Sequence, residues 1–147
     1  MCIAQSADIF GTGLVAGALV MGSFAVQPAA AKLDASSHVV LRQHLIRRLS
    51  KLMPALMLLP VGACIAASIF CRTTVLWLLN AFGGALSLAT IGITVAINAP
   101  LNRRFARWGP HEPPYDWDRS VRRWNAANSL RTATALAAFV CAILAGS

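Results

Sequence analysis

The sequence predicts an all-α membrane protein built as a bundle of four transmembrane helices. The chain has 147 residues, of which 57% are hydrophobic and only 12% are charged. That charged share is about half of what an ordinary soluble domain carries. A soluble fold of this size needs polar surface to meet water, so the composition indicates that lipid is the solvent. The length suggests a single domain.

Four stretches of the chain contain no charged residue: 9–31, 52–70, 73–101 and 132–147. A helix needs about 20 mostly apolar residues to cross a bilayer. The fourth stretch reaches this length only if its helix begins earlier. We therefore predict one transmembrane domain over residues 1–147, with spans at about 9–31, 52–70, 74–98 and 117–146.

The first stretch could instead be a signal peptide, because three alanines at 29–31 resemble a cleavage site. A signal peptide begins with a basic segment. Here no Lys or Arg precedes Lys32, and Asp8 is acidic. The pattern therefore favours a first span that is retained.

The basic residues predict how the bundle is oriented. Twelve of the thirteen Lys and Arg residues fall in segments 32–51 and 98–131, and Arg72 is the remaining one. Cytoplasmic loops carry the Lys and Arg excess of membrane proteins. We expect a multi-pass protein of a bacterial inner membrane, with both termini on the non-cytoplasmic side. Membrane lipids are the expected partners, since anionic headgroups attract such a surface without any nucleic acid.

Two local patterns refine the first half of the chain. Gly13 and Gly17 have the GxxxG spacing of closely packed membrane helices. The segment "DASSHVVLRQHLIRRLSKLMP" has leucines at near-helical spacing after a candidate cap at Ser36 or Ser37. We predict a short amphipathic interfacial helix here, after helix 1 and leading into the second span at Pro54.

The segment before the last span contains several prolines, and Pro100 is expected to end the third helix. Asp116 or Asp118 can cap a new helix that begins near Trp117. Along that helix a set of residues recurs every three or four positions, which places it on one face. The set includes Trp117, Trp124, Asn128 and Arg131. Polar groups at membrane depth normally point into the bundle, where Asn98 and Asn102 are expected to meet them.

Several other classes of function lack the residues they need. The three histidines are not arranged with carboxylates in a metal-binding pattern, so no metal is predicted and copper or iron at His44 is a minor alternative. No C-x-x-C pair is present for a thiol oxidase, although Cys2 and Cys71 could pair. A proton-coupled multidrug transporter needs a carboxylate inside a span, and Asp8 is at an edge.

Several motifs together resemble the anthrone oxygenase-like family of small four-helix integral membrane proteins. The most specific are "INAPLNRRFARW" and "PPYDWDRSVRRWNAANSLRTATALAAF", supported by "LRQHLIRRLSKLMPALML". The resemblance covers nearly the whole chain. It implies a membrane oxygenase that oxidises a flat aromatic, anthrone- or polyketide-like substrate with O₂. No cofactor is needed, because the enolate of such a substrate can pass an electron to oxygen directly.

The resemblance also suggests roles for individual residues. His44 would act as the base, and Arg131 with Asn128 would stabilise the enolate oxygen. Substrate-binding residues would be Trp117 and Trp124, which stack on the ring, together with Asn98 and Asn102. Arg131 is expected to point inward, towards Asn98 and Asn102.

An alternative from another class is a non-catalytic scaffold or subunit of a larger complex, with a basic cytoplasmic face on the lipid. A homo-oligomer is also compatible with the sequence. The tryptophans would then be interfacial belt residues, and the asparagines a structural hydrogen-bond cluster. The two readings differ in what lies beside Trp124, Asn128 and His44. An enzyme needs an open pocket there, whereas a scaffold fills the space with side chains.

Overall fold

The computed structural model describes residues 3–69, 73–109 and 114–147. Within these residues the chain forms four long helices: α1 (Ile3–Ala30), α2 (Ala35–Ile69), α3 (Thr74–Phe105) and α4 (Trp117–Gly146). Each is long and apolar enough to cross a membrane. The predicted all-α class with four long apolar helices is confirmed. The proposed Cys2–Cys71 pair and the prolines at 110 and 113 lie outside the described residues.

The helices form a closed ring in which α1 and α3 each pack mainly on α2 and α4. Neighbouring helices run antiparallel. For example, Gln5 of α1 binds Ala142 of α4, while Leu19 binds Thr132. The core contains Val15, Ala16, Leu19, Met57 and Ala135. The turn at 31–34 and the residues at 106–109 and 114–116 therefore lie at one end of the bundle, which we call the basic end.

The short amphipathic helix predicted after helix 1 is not a separate element, because it forms the first part of α2. α2 is continuous over Ala35–Ile69 and contains both Pro54 and Pro60, so no separate interfacial helix is present there. A proline removes one backbone hydrogen bond, which packed membrane helices tolerate. Asp34 caps the N-terminus of α2, because its Oδ1 accepts a hydrogen bond from the Ser37 N–H at 3.0 Å. Hydrogen bonds from Ser36 and Ser37 lower the pKa of Asp34.

Pro28 and Pro100 also lie inside helices, each two positions after the end of a π-helical turn. The turns are Gly22–Val26 and Thr94–Asn98. The Gln27 N–H binds the Gly22 carbonyl, and the Ala99 N–H binds the Thr94 carbonyl, five residues back in each case. The wider turn shifts the carbonyl that a proline ring would otherwise meet. Pro100 therefore does not end α3, which continues to Phe105.

Two expectations about α1 also change. Because the helix begins at Ile3, Asp8 lies inside it with only 3% of its surface exposed. Asp8 is therefore a buried acid of a candidate span, contrary to its expected place at an edge. The GxxxG pair is not one contact surface. A Cβ on Gly13 would come within 2.9 Å of Phe139, whereas one on Gly17 would meet nothing within 4 Å.

Candidate functional site

The basic end of the bundle is held together by Gln43 of α2. Its Nε2 donates to the carbonyl oxygen of Phe105 at 3.1 Å and to that of Trp108 at 2.9 Å. These carbonyls belong to the last turn of α3 and the residues after it, where intrahelical donors run out. The contact places the 38–43 segment of α2 against Phe105.

Arg42 lies at the centre of this contact and is 8% exposed. Its Cζ is 4.8 Å from the ring centroid of Phe105 and 4.6 Å from that of Trp124, so the guanidinium lies over both rings. Such cation–π contacts are stabilising where water is excluded. The Arg42 Nη2 lies 3.3 Å from His38 Nε2. Its Nε is buried and has no hydrogen-bond partner in the part of the chain that the structure describes.

His38 joins Arg42 to the start of α4. The imidazole is 5% exposed and packs edge-on against Trp117, with ring centroids 4.9 Å apart. A guanidinium can only donate, so His38 Nε2 accepts and carries no proton in this arrangement. Trp117 also faces Trp108 across 6.4 Å.

Trp124 is hydrogen-bonded to two asparagine side chains of α3. Its Nε1 donates to Asn102 Oδ1 at 2.8 Å, and its backbone carbonyl accepts from Asn98 Nδ2 at 3.4 Å. Asn98 is fully buried. Its Oδ1 has no hydrogen-bond partner among residues 3–69, 73–109 and 114–147. The two asparagines therefore fix the position of Trp124 of α4 against α3.

Arg131 points into the bundle and is 9% exposed. Its Nε and Nη2 donate to Asn128 Oδ1 at 2.9 and 2.6 Å, and its Nη1 donates to Thr94 Oγ1 at 3.3 Å. These partners replace the expected Asn98 and Asn102. Asn128 lies one turn earlier on the same helix, and Thr94 begins the π turn of α3. The Arg131 Cζ is 5.7 Å from the Trp124 centroid.

A chain of hydrogen bonds sets the orientation of the Asn128 amide. Asn128 Nδ2 donates to Ser23 Oγ at 2.7 Å, and Ser23 Oγ lies 2.8 Å from Thr132 Oγ1. The Thr132 hydroxyl in turn donates to the backbone carbonyl oxygen of Asn128 at 2.8 Å. With its NH₂ group committed to Ser23, the amide must present its oxygen to Arg131. The π turn of α1 supplies Ser23.

These contacts define the arginine–tryptophan cluster, made of His38, Arg42, Asn98, Asn102, Phe105, Trp117, Trp124, Asn128 and Arg131. Its two guanidiniums are buried, and no carboxylate in the described ranges pairs with either of them. The ion pair recorded at this end joins Arg104 to Asp116 at 2.7 Å, outside the cluster. A buried charge without a counter-charge is costly. The cluster is therefore suited to receive an anion.

Six of the seven predicted site residues come together in this cluster, and His44 does not. His44 is exposed, and its Nδ1 lies 3.0 Å from Arg47 Nη2. His38, Arg42 and Phe105 are the members that the sequence interpretation missed. The spacing of His38 and Arg42, four residues apart on one helix face, was the available signal.

Two cavities bear on how a ligand would reach the cluster. A void of about 10 Å³ lies in mid-bundle beside Thr12 and Thr90, which is about the size of one water molecule. An open cleft of about 360 Å³ is lined by Pro100, Arg103, Arg104, Arg107 and Trp108. The ring of Trp108 is 4.6 Å from that of Phe105, so these two rings separate the cleft from Arg42.

The pattern of a protein family described as anthrone oxygenase matches residues 43–141. The chain belongs to the anthrone oxygenase family. The matched range includes every cluster residue on α3 and α4, while His38 and Arg42 lie just before it. No curated protein and no solved structure matches the chain. Among the described residues, no group of three or more His, Cys, Asp or Glu side chains is placed to hold a metal ion.

Proposed function

We propose that this member of the anthrone oxygenase family oxidises a flat aromatic, anthrone- or polyketide-like substrate with O₂ inside the membrane. The observation that carries the proposal is the pair of buried guanidiniums, Arg42 and Arg131, beside the single ring of Trp124. Such a substrate becomes an anion when its benzylic carbon loses a proton. Two cations in a water-poor site stabilise that charge as it develops.

His38 is the base that the cluster offers. Its Nε2 is unprotonated where it meets Arg42, and its ring edge packs on Trp117. A base must lie within hydrogen-bond reach of the proton it removes. His44, the base expected from the resemblance, would act there only if the substrate reached the exposed face of α2.

The reaction balances without an external reductant. The base takes the benzylic proton, and the enolate passes one electron to O₂ to give a carbon radical and superoxide. These combine in a carbon–oxygen bond to give a peroxide anion, which takes the proton back from the base. The resulting hydroperoxide loses water to leave a carbonyl group. The substrate CH₂ thus becomes C=O, one oxygen atom enters the product and the other leaves as water.

The test is oxygen uptake and quinone formation by the purified protein with an anthrone. Background autoxidation is measured in the same detergent without protein. We expect Arg131→Ala to lower the rate by about 10²- to 10³-fold, as the loss of an anion-stabilising donor does. Arg119→Ala, on the exposed face of α4, should retain the wild-type rate. Uptake by the wild type no faster than the background would overturn the proposal.

One observation favours a second candidate, a non-catalytic membrane subunit. The space beside Trp124 and Asn128 is occupied by the side chains of Arg42 and Arg131, as expected of a scaffold. Such a protein would migrate with a larger complex, or as a homo-oligomer, when membranes are extracted in mild detergent. Complex formation without oxidation of any anthrone would favour this candidate.

The orientation is also a proposal. We infer that the basic end faces the cytoplasm of a bacterial inner membrane, with both termini outside, because twelve of the thirteen basic residues fall in the segments at that end. Single cysteines in place of the exposed Arg48 and Arg103 should react only with a membrane-permeant reagent in intact cells. Labelling of either position from outside would contradict the orientation.

A further inference from the structure

Arg42 is poorly satisfied for a buried cation. Its Nε has no hydrogen-bond partner in the described ranges, and its recorded polar contact is 3.3 Å long, to His38. Arg131, by contrast, makes three hydrogen bonds to Asn128 and Thr94. Burial of an under-bonded guanidinium costs free energy, so Arg42 is the member of the cluster that is easiest to move.

The guanidinium of Arg42 occupies a space that suits a flat group. The faces of Phe105 and Trp124 bound it, with the Arg42 Cζ at 4.8 and 4.6 Å from the two ring centroids. Aromatic rings pack on one another at similar centroid distances. A planar aromatic ring could therefore stack between the same two rings in place of the guanidinium.

A second observation points to a ligand beside Trp124, whose backbone carbonyl accepts from Asn98. Asn98 Oδ1 is buried and has no partner among the described residues, just as Arg42 Nε lacks one. Buried polar atoms are normally hydrogen-bonded. An oxygen acceptor on a ligand would satisfy the unmet donor of Arg42, and a ligand hydroxyl group would satisfy the unmet acceptor of Asn98.

We propose that Arg42 is an exchangeable plug that gives the site its specificity for planar aromatic oxyanions. When such a ligand binds, its ring replaces the guanidinium between Phe105 and Trp124, and Arg42 turns to pair with the ligand oxygen. The ligand arrives through the cleft beside Trp108, and the rings of Trp108 and Phe105 move apart to admit it. This inference rests on the proposed function for the location of the site, and it adds the charge of the ligand and the residue that reads it.

The plug makes two opposite predictions for one substitution. In Arg42→Ala the space is already open, so a neutral planar ring no longer has to displace anything and should bind several-fold tighter. An anionic ring loses its charge-assisted partner and should bind roughly tenfold weaker or more. A residue with a purely structural role would change both affinities in the same direction.

The probes are the hydroxynaphthoquinone lawsone, which is an anion at neutral pH, and its neutral O-methyl ether. Binding to the full chain in detergent is measured by equilibrium dialysis for the wild type, Arg42→Ala and Arg42→Gln. The glutamine variant retains a flat polar group without the charge, so it still tests the loss of the preference for the anion if the alanine variant does not fold. Arg122→Ala, on the exposed face of α4, removes the same charge outside the cluster.

The expected result is a wild type that prefers lawsone, a reversed or abolished preference on substitution of Arg42, and no change in Arg122→Ala. The proposal is overturned if the wild type binds both probes equally, or if both affinities fall together. Neither result depends on turnover. A reversed preference without anthrone oxidation would support the role of Arg42 and overturn the oxygenase proposal. Anthrone oxidation without a reversed preference would support the oxygenase proposal and overturn the role of Arg42.

Discussion

Asn128 Oδ1 accepts two hydrogen bonds from Arg131, at 2.9 Å from Nε and 2.6 Å from Nη2, and the two residues are three positions apart on α4. An amide oxygen here fills the place that a carboxylate usually fills beside an arginine. It fixes the direction of the guanidinium but cancels none of its charge. The Arg131 guanidinium is thus held in one orientation and keeps its full positive charge.

We expect Asn128→Ala to destabilise the bundle by about 3–5 kcal/mol, since it leaves a buried cation with one remaining partner. Asn128→Asp should recover most of this loss, because its carboxylate neutralises Arg131. The same aspartate should weaken lawsone binding, since the net positive charge of the cluster falls. Unfolding in detergent measures the first effect and equilibrium dialysis the second. Equal stability of the alanine and aspartate variants would argue against a buried charge at Arg131.

Trp124→Phe retains an aromatic face for the two arginines but removes the Nε1–H that binds Asn102 Oδ1 at 2.8 Å. The unpaired amide oxygen should cost about 1–3 kcal/mol of stability. Adding Asn102→Leu to this variant should cost less than the same change in the wild type, because the partner is already gone. Additive losses in this double-mutant cycle would show that the hydrogen bond contributes nothing.

Two glycines on α3 provide a matched test of helix packing. A Cβ on Gly83 would lie 3.2 Å from the Cβ of Cys141, whereas one on Gly92 would meet nothing within 4 Å. Gly83→Ala should destabilise the protein by roughly 1 kcal/mol or more, because α3 and α4 must separate slightly. Gly92→Ala should be neutral or stabilising. Equal thermal stability of the two variants would contradict the close approach of these helices.

The cap of α2 should respond to acid. Hydrogen bonds from Ser36 and Ser37 lower the pKa of Asp34 below its ordinary value of 3.8. The folded state therefore binds the proton less readily than the unfolded chain, and the stabilising contribution is present above about pH 4 and lost as the pH falls below it. The protection of the Ser37 amide, which is the slowing of its exchange relative to that of the unfolded chain at the same pH, should decrease over that fall in the wild type. Asp34→Asn should show no such dependence, and Asp118→Ala should behave as the wild type.

The charge-free stretches located the four helices because a charged side chain in hydrocarbon is costly. The helical period then placed Trp117, Trp124, Asn128 and Arg131 on one inward face. Helix ends were harder to predict. Pro54 was expected to join a short helix to the second span, and Pro100 to end the third helix, but both helices continue through these prolines. Their tolerance depends on packing and on π turns, neither of which leaves a simple pattern in the residues.

The second arginine of the cluster was missed for a different reason. Arg42 is one of four arginines and lysines between positions 42 and 51, and composition does not distinguish it from its solvated neighbours. Its burial results from contacts with Phe105 and Trp124, which are more than sixty positions away in the chain. His38 was overlooked in the same way, and His44 was preferred because an imidazole is a suitable general base.

The π turn at Thr94–Asn98 makes the cluster sensitive to chain length. Each residue of an α-helix turns the chain by about 100°, so deleting one residue there and restoring regular α geometry would rotate the end of α3 by about that angle. Phe105 would leave Arg42, and Gln43 would lose both of its carbonyl partners. Such a deletion changes no side chain of the cluster, yet it would dismantle one wall. The wall against which Arg42 packs therefore depends on a residue count as much as on residue identity.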